Sequence, residues 1–416
     1  MKKIHGRNRA EAPGIGTAPA KGGVMRFCRR PSLNTVGRSE KAGVLRIGYM
    51  SNLEAVVPIA AQELGLFQRH DLRVQLSPEV GWATLRSKLL DGELEACLAP
   101  VGLLLSLYCG FGGVRRPCLT ALLFDSGRCA ITLSRSLRDL GVIDAVTLGL
   151  AIRSGVIRAR PTFGTVPGLT SATHFLRAWL IAGGVDPDRD VRLVPVPAAL
   201  AFDTFRRGFV DGFCESEPWP TAALAEDPGT VATSFPETVA GFLDKALVVL
   251  REFAEANEEL HLRLVAALIE AGRFCEVPAN RPVMARWLAR SGSFDLPESC
   301  LQSAIAGLNA VTESGARIGA PSRTTGKRLL DRISDTSEPT LSRPLPRAIL
   351  SHLFRQDLHD RAANQTRRDS GPDDVGSSAK AETPQPSLPE PTVRQPDAAT
   401  LATMLLSGCL PMAVIA

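Results

Sequence analysis

The chain has few of the residues that most often announce chemistry. Aromatic residues make up 5% of its 416 positions, with two tyrosines and four tryptophans, and there are six histidines. Its 48 lysines and arginines exceed 43 acids by enough for a net charge of only +5. There is no basic stripe and no interleaving of aromatic with basic residues, so the footprint of direct nucleic-acid binding is missing. The nine cysteines form no CxxC pair and no tight cluster with histidine, and no metal or cofactor is read from them. Cys97, Cys129 and Cys214 sit in apolar or strand-like runs, where a thiol behaves as a small buried hydrophobe. An odd, scattered set suits a reducing compartment. No nucleophile and base fall into a recognisable arrangement, so an enzyme is not expected. No stretch reaches the roughly 20 apolar residues of a membrane span, and no internal repeat is visible.

The first residues also lack something. A secretory signal needs a basic start followed by roughly 7 to 15 apolar residues. "MKKIHGRNRAEAPGIGTAPAKGG" has the charges without the run, and a start at Met25 supplies none. Arg29-Arg30 is similar to a twin-arginine signal, but "PSLNTVGRSEKAG" cannot serve as its apolar segment. The expected location is the cytoplasm; a different start codon that restored an export signal would make it the periplasm. Residues 1–43 read as a disordered lead and 362–416 as a disordered tail, the latter rich in Pro, Ser and Asp and ending in an apolar run broken by Gly and Pro.

What is present is a patterned, 44% hydrophobic middle. "VLRIGYM", "DLRVQLS" and "LEACLAP" read as strands, separated by the helical "AVVPIAAQELGLFQRH" and a helix over 82–90. "CLTALLF" and "CAITLS" continue the series. A second alternating set follows: "VTLGLAI" as a strand, "SATHFLRAWLIAGG" as a helix, the strand "VRLVPVP", the helix "ALAFDTFRRG", the strand "FVDGFC" and a helix after Pro218. "KALVVL" then leads into helices over 251–275, 279–291 and beyond. Strands alternating with helices predict mostly parallel sheets flanked by helices. The expected fold is α/β, a two-lobed clamshell with lobe 1 discontinuous over 44–135 and 240–361 and lobe 2 over 136–239. The cleft between lobes is the default ligand site.

From "LRIGYMSNLEAVVPIAAQELGLFQ" through "GWATLRSKLLDGELEACLAP", the chain resembles the nitrate/bicarbonate-binding proteins of ABC transporters, which have a type II periplasmic-binding-protein-like fold. The likeness resumes at "AITLS", "LRAWLIAGGVDPDRDVRLVPVP", "DGFCESEPW", "TVATS", "FCEVPANRPVMARWLA" and "LFRQDLHDRA", in order across about residues 44 to 362. The resemblance implies a binding function and five site positions. The family tryptophan falls on Trp82, with Thr84 beside it at a helix start whose N–H groups favour an anion. The family glutamine is replaced by Arg128, whose guanidinium fork can also grip an oxyanion. The family histidine falls on His174, in a first helical turn that disfavours a charged imidazole. The family lysine falls on Lys245, where bicarbonate-binding members resemble the rest but tend to carry an acid with a metal ion. Lysine implies nitrate or nitrite without a metal. Each position also has a plain structural alternative: edge packing for Trp82, solvated surface cations for Arg128 and Lys245, and an ordinary helix-start histidine. Glu217-Pro218-Trp219 reads as a structural helix start.

The family includes exported transporter receptors, which implies an ABC permease as partner. It also includes a cytosolic branch that senses nitrate or nitrite and holds an RNA-binding antiterminator until the anion binds. The basic start without an apolar run points to that second branch.

Overall fold

In the computed structural model, residues 43–110, 113–124, 129–166, 170–227, 230–234, 245–307, 318–334 and 349–369 are described. Strands β1 (Leu45–Met50), β2 (Val74–Glu79), β3 (Ala96–Pro100), β4 (Cys118–Leu119) and β5 (Leu123–Phe124) come first. Between them run α1 (Val56–Glu63), α2 (Leu66–Arg69), α3 (Trp82–Asp91) and α4 (Val101–Cys109). Next are β6 (Cys129–Leu133), α5 (Arg135–Asp139), α6 (Ala145–Arg153), β7 (Thr162–Thr165), α7 (Ser171–Ala182), β8 (Arg192–Pro195), α8 (Ala198–Arg206), β9 (Gly212–Ser216), α9 (Trp219–Glu226) and β10 (Val231–Ser234). The chain closes with β11 (Lys245–Leu250), α10 (Arg251–Ala256), α11 (Glu258–Glu276), α12 (Arg281–Arg290), α13 (Glu298–Ala306), β12 (Ile318–Gly319), α14 (Arg323–Ser334), α15 (Leu350–Leu353) and α16 (Gln356–Asp369).

Two sheets result. The first has seven strands, ordered β12-β5-β11-β3-β1-β2 with β4 also on β11; the second has five, ordered β10-β6-β9-β7-β8. Neither is mostly parallel. β1 pairs parallel with β2 and β3, but β11 runs antiparallel to β3, β4 and β5. In the second sheet β7 is parallel to β8 and β9, while β6 is antiparallel to β9 and β10. The cause is the crossing of the chain: a strand that arrives from the other sheet enters from the opposite end.

The central strands β3 and β11 are buried along their whole length, the mark of a strand covered on both faces. Their side chains alternate between two apolar clusters. Leu98, Leu247 and Val249 face one, with α1, α11, α12 and α13; Cys97, Ala246 and Val248 face the other, with α3, α4 and α15. β2 and β8, each carrying a proline and partly exposed, lie at the sheet edges, as proline requires. The second sheet has its own cluster around Ile131, Leu148, Phe163, Leu176 and Leu180.

Several expectations change. β6 belongs to the second sheet, paired from Cys129↔Ser216 to Leu133↔Gly212. β5 is the last strand of the first sheet before it, so the change of sheet precedes β6, ahead of the boundary expected after 135. "VTLGLAI" is helix α6, not a strand. Asp144 caps it: its carboxylate accepts from Thr147 N at 2.8 Å, and Thr147 Oγ1 accepts from Asp144 N at 3.0 Å, a reciprocal capping box. The strand of that unit is β7, four residues with Phe163 at its centre. Residues 362–369, expected in a disordered tail, belong instead to α16, which runs to Asp369 and buries Ala362 and Thr366. The rest of that tail and the lead before residue 43 lie outside the described residues. Among the described residues, no helix is long and apolar enough to cross a membrane.

Candidate functional site

In a parallel unit the chain leaves each strand at its carboxyl end and enters a helix there, so helix N-termini gather along one edge of the sheet. α3 and α4 follow β2 and β3 in this way, and α7, α8 and α9 follow β7, β8 and β9. The two carboxyl edges face each other. Trp219 Nε1 donates to Asn52 Oδ1 at 3.0 Å, Leu53 N donates to Glu217 O at 3.0 Å, and Asn52 Nδ2 donates to Glu215 Oε1 at 3.4 Å. These bonds join the segment after β1 to the end of β9. Farther along, a Cβ placed on Gly81 would stand 3.7 Å from the Cβ of Pro197, so the entry to α3 lies against the entry to α8.

Trp82 opens α3 after the extended Gly81, which provides no side-chain cap. The indole is half-buried against the cluster of α3 and α4. Its Nε1–H is buried and donates to nothing among the described residues. Leu85 and Leu89 fix the helix to the sheet, and Gly92, at φ 74°, ends it in the left-handed conformation that glycine adopts without strain. Thr84 is half-buried on the same first turn.

Lys245 is the first residue of β11 and only 6% exposed. Its register partners are Pro100, the last residue of β3, and Phe124. An antiparallel strand starts where its neighbour ends, so this cation lies on the carboxyl edge that also carries Trp82. A surface lysine, the plain alternative for this position, does not describe it.

His174 sits in the first turn of α7. Thr170 caps that helix, its hydroxyl accepting from Thr173 N at 3.3 Å. Leu176 and Leu180 turn inward, and the half-buried imidazole lies 6.1 Å from the Phe175 ring, centroid to centroid. Trp82, Thr84 and Lys245 thus share one carboxyl edge and His174 belongs to the other. Arg128 lies outside the described residues.

One residue escaped the sequence reading although it stands in the same "WATLR" block. Arg86, one turn after Trp82 on α3, has its Nε and Nη2 buried and without a hydrogen-bond partner among the described residues. Residues four apart share a helix face, so α3 carries three buried, unused N–H donors on one side. A guanidinium beside a tryptophan at this spacing is the signal that sequence offered. Asn52 and Glu215, which join the two edges, carried no such signal. Glu217 proves structural: its Oε2 accepts from Thr221 N at 3.3 Å. Pro218 occupies the N-cap of α9 and Pro220 its first turn.

Five of the seven described cysteines are buried, and Cys109 and Cys129 are half-buried. Cys97, Cys118 and Cys214 are at most 1% exposed. Burial raises the Cys97 thiol far above its ordinary range and pushes Cys118 up to about 12, which leaves both protonated and unreactive.

Comparison with known proteins places this geometry. The bicarbonate transport ATP-binding protein CmpC of Synechococcus elongatus is 29% identical over 331 residues, covering 77% of this chain and 49% of CmpC. The bicarbonate-binding protein CmpA of the same organism is 26% identical over 287 residues, 65% of this chain and 62% of CmpA. The chain thus spans about half to three fifths of the length of these relatives. Among solved structures, the periplasmic nitrate-binding protein NrtA from Synechocystis superposes with a TM-score of 0.66 at 19% identity, covering 78% of this chain and 89% of NrtA. The fold is that of the two-lobed, type II periplasmic binding proteins. A family model described as NMT1-like matches residues 38–289, and the chain belongs to the NMT1-like family.

Proposed function

We propose that this chain binds a small planar oxyanion, nitrate or nitrite, between the facing carboxyl edges of its two sheets, as the solute-binding part of an ABC-type uptake system. Lys245 supplies the countercharge, Trp82 an indole face and an unused N–H, and Thr84 a hydroxyl at the start of α3. His174 reaches from the opposite edge as a neutral donor. Donors from both lobes give the closed form a differential affinity, which alone can shift the opening equilibrium. The observation that carries the reading is the buried lysine at the carboxyl edge it shares with Trp82. The lysine's place at that edge puts a positive charge where an anion in the cleft would lie. The names of the relatives, bicarbonate-binding and nitrate-binding, support the ligand class.

Isothermal titration calorimetry against nitrate, nitrite, bicarbonate and sulfate tests it. Nitrate or nitrite should bind, and Lys245→Met, which keeps the volume of the stem, should weaken binding about ten- to hundredfold, the range of a charged hydrogen bond. Silence toward all four anions, or a folded Lys245→Met with unchanged affinity, sinks the reading. Selective bicarbonate binding would transfer it to that anion.

The transport role leads because the relatives bear the names of transport components. The sensor role remains a second proposal: a cytoplasmic protein that holds an RNA-binding antiterminator until the anion binds. Cell fractionation separates them. Native protein released with the periplasm excludes the sensor; cytoplasmic protein that co-purifies with an RNA-binding partner, released by nitrate, excludes the transport role.

A further inference from the structure

A cavity of about 540 Å³ opens between α8 and α9 of the second sheet and the connection from α12 to α13, with Cys300 of α13 also in its lining. None of Trp82, Thr84, His174 or Lys245 lines it. Its size is that of a small-molecule pocket, for which roughly 300–1,000 Å³ is usual. The floor is aromatic: Phe202 and Trp219 stack with centroids 6.4 Å apart and planes at 24°.

The walls are acidic. Asp203, Glu226 and Asp295 stand against Arg206 in the lining, with Arg207 just outside it 2.8 Å from Asp203, so three carboxylates meet two guanidiniums. Arg206 is already committed, 2.7 Å from Asp203 and 3.9 Å from Glu226. Asp295 is exposed and makes no ion pair among the described residues. The lining therefore keeps an excess of negative charge over an apolar floor. Arg206 also lies over the Phe202 ring, its guanidinium carbon 5.9 Å from the centroid, so the ring already holds a cation at its face.

We propose that this cavity is a second ligand site, for a small organic cation: a primary or quaternary ammonium with a compact apolar body. The apolar body covers Phe202 and Trp219 while the ammonium meets Asp295 and Glu226. Anions, the class assigned to the cleft, are repelled here, so the two sites do not compete. The proposal draws on none of Trp82, Thr84, His174 or Lys245 and stands or falls apart from the cleft reading.

Calorimetry on the full-length protein with four probes of one shape tests it: benzylamine, benzyltrimethylammonium, neutral benzyl alcohol and anionic benzoate. The two cations should bind about tenfold or more tighter than the alcohol, the step that one desolvated cation–aromatic contact or ion pair supplies, and benzoate should give no heat. Asp295→Asn combined with Glu226→Gln changes two exposed side chains and should leave the melting temperature in place while weakening both cations to the level of the alcohol. Phe202→Leu should weaken all three probes that bind. The proposal is overturned if the cations give no heat, if the alcohol binds as well as they do, or if the double variant binds cations as tightly as the parent.

Discussion

The two sheets are buried in different ways. The first lies between two clusters, one around Leu98, Leu247 and Val249 and the other, filled by its own strands and helices, around Cys97, Ala246 and Val248. The second owns one cluster, around Ile131, Phe163 and Leu176. Its other face, carried by Phe205, Phe213 and Trp219, merges into the first sheet's main cluster. The first sheet is thus a self-sufficient layer, whereas the second is fastened to it through shared apolar contacts. A movement that opens the facing edges has to rework that shared cluster, while the other two clusters ride along unchanged.

The comparison can be broken hardest in the second sheet's own cluster. There α6 and α7 touch backbone to backbone: a Cβ on Gly183 would stand 2.1 Å from the Ala145 carbonyl oxygen, and one on Gly149 2.2 Å from the Gly183 oxygen. No side chain can yield, so Gly183→Ala should cost about 3 kcal/mol or more. In the first sheet, a Cβ on Gly48 would meet Leu85 Cδ2 and Leu94 Cδ1, both at 2.5 Å. Those are the ends of flexible leucines, and Gly48→Ala should cost about 1 kcal/mol. Urea denaturation measures both. Equal costs would show that the helices of the second sheet can separate as easily as two leucine tips can turn.

That contrast also explains what could be read from sequence. The first sheet is legible because its central strands are short apolar runs bounded by turns, and because α3 shows leucines at helical spacing. α6 was misread because Val146 and Thr147 look strand-like, while the residues that make it a helix act locally and over distance: Asp144 as cap, and Gly149 against Gly183. β6 lies in the second sheet and not in lobe 1 as expected, because sheet membership is decided by partners far along the chain, Gly212–Ser216 and Val231–Ser234. In the candidate site, Trp82, His174 and Lys245 are singled out by a family likeness and not by periodicity. Sequence passes over Arg86, whose Nη2 lies 2.8 Å from where a Cβ on Gly113, distant in sequence, would stand.

A milder test loads the first sheet's helical layer alone. His261 on α11 is fully buried, and neither ring nitrogen has a hydrogen-bond partner among the described residues. Burial, and then the charge of Arg355, lowers its pKa from 6.5 to about 4. Between those values the unfolded chain takes up a proton that the folded one refuses, so stability should fall as pH drops from 6.5 toward 4 and be level above 6.5. The window corresponds to about 3 kcal/mol at most. His261→Leu should remove this acid sensitivity without loss at pH 7, since it leaves no polar atom stranded. A variant that keeps the parent's pH slope would show that other groups set it. The second sheet's own cluster holds no such buried histidine among the described residues, so acid should loosen the first side before the second.

The smallest expected effect sharpens the comparison at the fastening itself. Trp219 belongs to the shared cluster, and its Nε1–H is the hydrogen bond that Asn52, fully buried after β1, receives from the far sheet. Trp219→Phe keeps an aromatic ring against Phe202 and Phe294 but strands the Asn52 oxygen, at a cost of about 1 to 2 kcal/mol. Because the first sheet is complete without that contact and the second is not, the loss should fall unevenly. Amide hydrogen exchange should quicken roughly five- to thirtyfold in β6, β7 and β9, with β1, β3 and β11 little changed. Equal acceleration in both sheets would mean that they open as one cooperative body, in which case the shared cluster is part of a single core and the carboxyl edges could part only by bending the strands that connect them.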